Sequence, residues 1–131
     1  MKSKIRMPFA LMLALLAALP SFMPAHATGD FTVTASTTNL GRIFADKIYK
    51  VTINVTSTGG FSGTVSLSEY DNGGVTASFN PTSVTVSSGG FATSTLSISV
   101  SCNALRPPAT VQGTSGTLVH NVNIGWGTVV C

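Results

Sequence analysis

Short stretches in which apolar and small polar residues alternate dominate residues 60–101 of this chain. In one of them, Leu96, Ile98 and Val100 are separated by serines. Successive side chains of a β-strand point to opposite faces, so each stretch can bury one face and leave the other in water. A single sheet of such strands would expose an apolar surface. The pattern therefore predicts two antiparallel layers packed face to face.

Glycine, asparagine and proline separate the alternating stretches, as turns between strands require. No stretch shows a helical period. Roughly seven or eight short strands with turns about every eight to twelve residues predict an immunoglobulin-like β-sandwich. Cys102 continues the alternation of the preceding strand, so its thiol is expected to point between the sheets. Residues 37–45 are expected to be irregular, and residues 113–116 are expected to form a hairpin turn.

Residues 1–27 have the organisation of a secretory signal peptide. A basic region is followed by an apolar run and a small-residue site: Lys2, Lys4 and Arg6; residues 9–19; and Ala25-His26-Ala27. Cleavage is expected between Ala27 and Thr28, which leaves one domain at residues 28–131. The apolar run is shorter than the ~20 residues that a spanning helix needs. An uncleaved membrane anchor is thus the weaker alternative, and no stable membrane insertion is expected after cleavage.

The charge of the expected mature domain is formally zero. Of the seven Lys and Arg residues, three lie in the leader, so four remain against four Asp and Glu. Nucleic-acid binding needs a cluster of basic side chains, and four scattered ones do not supply it. The expected location is secreted or periplasmic, including attachment to the cell surface.

Cys102 and Cys131 both lie in the expected mature domain. Two cysteines in an exported protein indicate a disulfide. Two free thiols, or pairing of Cys131 with another chain, are the alternatives. A bridge within the chain would close a loop of about 30 residues and contribute roughly 3.5 kcal/mol in the chain-entropy description.

Four segments resemble one known family when they are taken together and in order. They are GFSGTVSLS at 60–68, GVTASFNPTSVTV at 74–86, ATSTLSISV at 92–100 and GTSGTLVHNVNI at 113–124. These segments are similar to prokaryotic immunoglobulin-like domains, which occur as accessory modules of secreted proteases, glycosidases and cell-surface proteins. The resemblance implies an accessory or adhesive role without catalytic residues. The chain departs from the family in the cysteine of residues 102–108 and in residues 125–131. We also expect the domain to stand alone, without an accompanying enzyme domain.

Several residues could carry chemistry, and each has a structural explanation. Ser115 lies in a Gly-Thr-Ser-Gly context that resembles a nucleophile turn, but a serine nucleophile needs a positioned base and a third orienting group. His120 shares the inward phase of its strand, which favours a hydrogen-bonded core or rim histidine over a metal ligand.

Two further groups of residues could form binding sites. The first, Glu69, Asp71 and Asn72, could offer oxygens to Ca²⁺, but turn formation explains the Asp and the Asn. The second is Trp126, which could be a platform for a sugar ring, although its phase favours burial. The sequence therefore predicts no catalytic residue, no cofactor and no metal site.

The function that the sequence favours is that of an exported, non-enzymatic immunoglobulin-like module with a binding or structural role. The partner is expected to be a protein or a polysaccharide of unknown identity. Strand edges with unpaired backbone groups are one route to such partners. The alternative is a pilin-like subunit that assembles by strand exchange, which would require one core strand to be missing.

Overall fold

The computed structural model describes residues 29–131. The expected leader, residues 1–27, and the cleavage site between Ala27 and Thr28 lie outside the described residues. The described chain forms these strands: β1 (Asp30–Ala35), β2 (Ile43–Phe44), β3 (Tyr49–Thr58), β4 (Gly63–Tyr70), β5 (Val75–Asn80), β6 (Ser83–Val86), β7 (Phe91–Val100), β8 (Ala109–Ser115), β9 (Leu118–Ile124) and β10 (Val129–Val130).

Eight of the strands form two antiparallel sheets. The first sheet has the order β1-β3-β7-β5, and the second has the order β6-β4-β8-β9. The two remaining strands, β2 and β10, pair in parallel. The predicted all-β, immunoglobulin-like sandwich is confirmed, and eight strands in two sheets agree with the predicted number.

The core lies between the two sheets and is built from alternate residues of each strand. On β3, Val51, Ile53 and Val55 are buried, and on β7, Leu96 and Ile98 are buried. Each of these central strands is paired on both sides. Full burial of such a side chain stabilises the fold by about 1.5–3 kcal/mol. The period-two pattern in the sequence therefore predicts the right face of both strands.

The segment that contains β5 and β6 changes from one sheet to the other. The first part pairs with β7, and the second part pairs with β4. The change falls at Asn80-Pro81, because proline has no N–H group to continue the ladder with β7. There the Ser94 hydroxyl donates a hydrogen bond to the Pro81 carbonyl oxygen at 2.6 Å. Beyond it, the Leu67 N–H donates to the Thr82 carbonyl at 2.9 Å. One segment thus forms an edge of both sheets.

The expectation that residues 37–45 are irregular is only partly right. Backbone hydrogen bonds at 2.8–2.9 Å join this segment to the end of the chain, with Leu40 donating to Gly125 and Ile43 to Thr128. The Ile43 side chain is fully buried. Strand β2 could not be predicted from the sequence, because a strand of two residues is too short to show an alternating pattern.

Residues 113–116 do not form the predicted turn. Strand β8 continues through Gly113 to Ser115, and the reversal occurs at Gly116, where φ is 61°. Gly113 is buried inside the sandwich, where a β-carbon would lie 2.9 Å from Val33 Cγ2 and 3.1 Å from Val65 Cγ1. This glycine therefore permits close packing inside a strand. The sequence pattern alone cannot tell such a glycine from one that forms a turn.

A charge on the inward face of β7 should unfold the domain, whereas a charge on its outward face should not. Ile98 is fully buried, while the Ser97 hydroxyl accepts a hydrogen bond from the Lys50 ammonium at 3.1 Å. We expect Ile98→Asp to lower the free energy of unfolding by at least about 3 kcal/mol, because the buried carboxylate has no partner. Ser97→Asp should change it by less than about 0.5 kcal/mol. Urea unfolding followed by circular dichroism measures both, and equal effects at the two positions would contradict the register.

Candidate functional site

A disulfide closes one end of the sandwich. Cys102 and Cys131 are bonded within the chain, with their Cα atoms 5.8 Å apart, as the sequence predicted. The expected orientation of Cys102 is wrong, because its side chain is exposed and does not point between the sheets. Strand β7 ends at Val100, and the chain then turns, with the Ala104 N–H donating to the Ser101 carbonyl at 3.1 Å. Alternation cannot be extrapolated past the end of a strand.

Residues 102–108, which we call the anchored loop, are held against the turn that follows β4. The Leu105 N–H donates to the Gly73 carbonyl at 3.2 Å, and the Asn72 side-chain amide donates to the Arg106 carbonyl at 3.1 Å. The backbones approach closely at Gly74, where a β-carbon would lie 2.4 Å from Ala104 Cα. The disulfide and these contacts fix the path of the anchored loop.

The anchored loop presents an apolar and a basic side chain to solvent. Leu105 is 70 % exposed, and Arg106 is exposed beside it. At the end of β4, which borders the same turn, Tyr70 is 50 % exposed. The Asn121 side-chain amide donates to the Tyr70 hydroxyl at 3.5 Å. Leu105 is thus a large apolar side chain held in water on a loop whose path is fixed.

Glu69 is a partly buried carboxyl group beneath the same turn. It lies on the inward face of β4, and its Oε2 atom is buried without a hydrogen-bond partner. Burial raises the pKa of Glu69 to about 7, and the nearby Asp71 carboxylate adds to the rise. The group is therefore held as a neutral acid below neutral pH, since an unpaired buried charge is unfavourable.

The three candidate calcium ligands, Glu69, Asp71 and Asn72, have other roles. Asp71 Oδ1 accepts a hydrogen bond from the Gly73 N–H, which shapes the turn, and Asn72 holds the anchored loop. In residues 29–131, no group of three or more His, Cys, Asp or Glu side chains is placed to hold a metal ion.

His120 lies at the rim of the sandwich, where β1 and β9 meet. Its Nε2 atom is 2.6 Å from Asp30 Oδ1, and its ring contacts the Phe31 ring edge-on at a centroid distance of 4.9 Å. The Phe31 N–H also donates to Asp30 Oδ1, at 2.8 Å. This backbone bond and the bond to His120 lower the pKa of Asp30. His120 is thus a hydrogen-bonded rim residue that fastens the two sheets together.

The two remaining candidates also have structural positions. Ser115 ends β8, and within the described residues no hydrogen bond joins it to His120. Trp126 is buried in the core, so the expectation of burial is confirmed and its ring is not offered as a sugar platform. Sequence reasoning did not single out Tyr70, Leu105 or Arg106, because nothing in a period-two pattern shows which loop residues are held in place.

Comparison with known proteins gives similar folds at low sequence identity. No protein-family model and no curated protein matches the chain. Thirteen chains of solved structures match it. One holds domains 4 and 5 of the S-layer protein SbsC, with a TM-score of 0.49 and 16 % identity over 81 % of this chain and 55 % of that one. The present chain therefore spans about half of that structure.

Two other similar structures are covered almost completely. The cupredoxin domain of amoB from Nitrosocaldus yellowstonii has a TM-score of 0.48 and 16 % identity, over 79 % of this chain and 90 % of that one. The seventh PapD-like domain of human CEP192 has a TM-score of 0.47 and 11 % identity, over 82 % of this chain and 92 % of that one.

Residues 29–131 contain no helix that is long and apolar enough to cross a membrane.

The Glu69 carboxyl group should make stability depend on pH in a defined window. Its pKa is raised from 4.5 to about 7, so the folded state keeps a proton that the unfolded state releases. Stability should therefore fall as the pH rises from 4.5 to 7 and level off above this range. Glu69→Gln should remove about 1 kcal/mol of this fall, a value reduced for solvent screening.

Urea unfolding between pH 4.5 and 8 measures the effect. The control is Asp46→Asn, because Asp46 is exposed, whereas Glu69 is partly buried. If Glu69→Gln and the wild type show the same slope across the window, the raised pKa is wrong.

Proposed function

We propose that the protein is an exported, non-enzymatic immunoglobulin-like module that binds a protein partner through the anchored loop. The observation that carries this proposal is the 70 % exposure of Leu105 on a segment held by a disulfide. Aromatic and arginine side chains are enriched in protein interfaces. Arg106 follows Leu105 in the anchored loop, and Tyr70 is exposed at the end of β4, which borders the same turn.

The fixed path of the anchored loop favours tight binding. A flexible loop loses conformational entropy when it binds, whereas one already held by covalent and hydrogen bonds loses less. The bonds from Leu105 to Gly73 and from Asn72 to Arg106 supply this order before a partner arrives. Leu105 would enter an apolar pocket of the partner, and the Arg106 guanidinium would face an acidic group.

An oxidising location suits this role. Disulfides form and persist in secreted and periplasmic proteins and are rare in the reducing cytoplasm. The bond between Cys102 and Cys131 and the leader expected from the sequence favour export, with the module secreted, periplasmic or attached to the cell surface.

A non-enzymatic role is supported by the positions of the polar side chains. His120 is engaged with Asp30, and Glu69 and Asp71 belong to a strand end and a turn. The pilin-like alternative has less support, because the chain itself supplies four strands to each sheet and its own β9 fills the second sheet's edge.

Substitution in the anchored loop tests the proposal. The measurement is a binding titration of the labelled, exported protein on envelope preparations of the cells that produce it. We expect Leu105→Asp to raise the Kd at least about tenfold, because the apolar contact is replaced by a solvated charge. Cys102→Ser with Cys131→Ser should also raise the Kd, since the anchored loop loses its covalent hold.

The matched control is Phe91→Asp. Phe91 is 67 % exposed at the start of β7, at the opposite end of the strand from the anchored loop. Equal binding by Leu105→Asp and Phe91→Asp would reject the anchored loop as the binding surface.

A further inference from the structure

The outer side of β5 carries backbone groups that are free to pair. At the end of its ladder with β7, the Ser101 N–H donates to the Gly74 carbonyl at 2.9 Å. Because hydrogen-bonded residues alternate along an antiparallel strand, Thr76, Ser78 and Asn80 bond to β7. The N–H and C=O groups of Val75, Ala77 and Phe79 therefore point away from the sheet. No strand lies on this side of β5 in the described part of the chain.

The β5 edge lacks the charges that commonly protect sheet edges. Residues 72–105 contain no Asp, Glu, Lys, Arg or His. Natural sheets discourage edge pairing with charged side chains, prolines or bulges. Pro81 follows the last residue of β5, where the chain leaves this sheet, so it does not interrupt the β5 edge.

The opposite edge of the same sheet is protected. The Ser36 N–H donates to the Thr52 carbonyl of β3, which fixes the alternation along β1. The Phe31 N–H therefore points away from β3, toward the outer side of the sheet. That N–H is capped by the Asp30 carboxylate, which His120 holds in place. One edge of the sheet is thus blocked by a fixed charge, while the other is uncharged and open.

We propose that the β5 edge pairs with the β5 edge of a second copy of this chain. In a two-fold antiparallel arrangement centred on Ala77, Val75 of one copy lies opposite Phe79 of the other. This register pairs all the outward N–H groups of both copies and joins the two first sheets into one continuous sheet. The uncharged edges and the formally neutral mature chain impose no like-charge repulsion on the approach.

The contact is weak for a single pair of molecules. Six-residue strands bury far less than the ~1,600 Å² of a standard stable interface. The dimer therefore forms at high local concentration, as on a crowded surface, and dissociates on dilution.

The register predicts one specific cross-link. Thr76 of one copy lies opposite Ser78 of the other in a pair without backbone hydrogen bonds, where Cα atoms are about 4.5 Å apart and a disulfide can form. We expect a mixture of the Thr76→Cys and Ser78→Cys proteins to yield a covalent dimer on mild oxidation at about 0.5 mM. The covalent dimer should form at least about tenfold faster in the mixture than in a solution of either variant alone.

The matched control uses the protected edge. Thr32 and Thr34 are exposed positions of β1 with the same spacing. A mixture of the Thr32→Cys and Thr34→Cys proteins should not form a covalent dimer faster than either protein alone. Ala77→Pro gives an independent test, because the lost N–H points outward and the ladder with β7 stays intact. It should weaken self-association in sedimentation equilibrium at least about tenfold, with the melting temperature nearly unchanged.

Three outcomes would overturn the proposal. The first is a wild-type protein that stays monomeric up to about 1 mM. The second is cross-linking at equal rates on β1 and β5. The third is a protein that stays monomeric while its β5 edge binds an extended peptide of unrelated sequence, which would assign the edge to a foreign strand.

Discussion

The interior between the two sheets excludes water, and this requires every polar group inside it to find a partner. Two serines meet the requirement where the strands end. The Ser57 hydroxyl donates to the Phe61 carbonyl at 2.7 Å and accepts from the Gly89 N–H, and the Ser94 hydroxyl serves the crossing at Pro81. Buried polar groups without partners destabilise a fold by a few kcal/mol each. Glu69 is the exception, because its buried Oε2 atom has no partner, and the raised pKa of this carboxyl group avoids a buried charge.

The same constraint explains which parts of the fold the sequence predicts. A strand that buries one face for its whole length must alternate, so β3 and β7 can be recognised with the correct face inward. Short or terminal contacts leave no such period. Ile43 enters the core from a two-residue strand, Gly113 is a glycine inside a strand, and Cys102 lies two residues beyond the end of its strand.

The candidate surfaces were less predictable than the core for a related reason. A loop residue becomes an interaction site through what holds it in place, and the partners of the anchored loop come from distant parts of the chain. Cys131 and Asn72 are far in sequence from the residues that they fasten. The β5 edge is visible in the sequence only as a long stretch without charge. Its significance depends on β5 being the last strand of its sheet.

Native-state hydrogen exchange of the exported protein in dilute solution tests most directly whether two closed antiparallel layers share one dry interior. We predict that consecutive amides of β3 and β7 exchange about 10³-fold more slowly than unfolded amides or slower still, because each central strand is bonded on both sides. On β5, the amides of Thr76 and Ser78 should be slow and that of Ala77 fast. Rapid exchange throughout β3 and β7, or protection of every second amide there, would contradict the account.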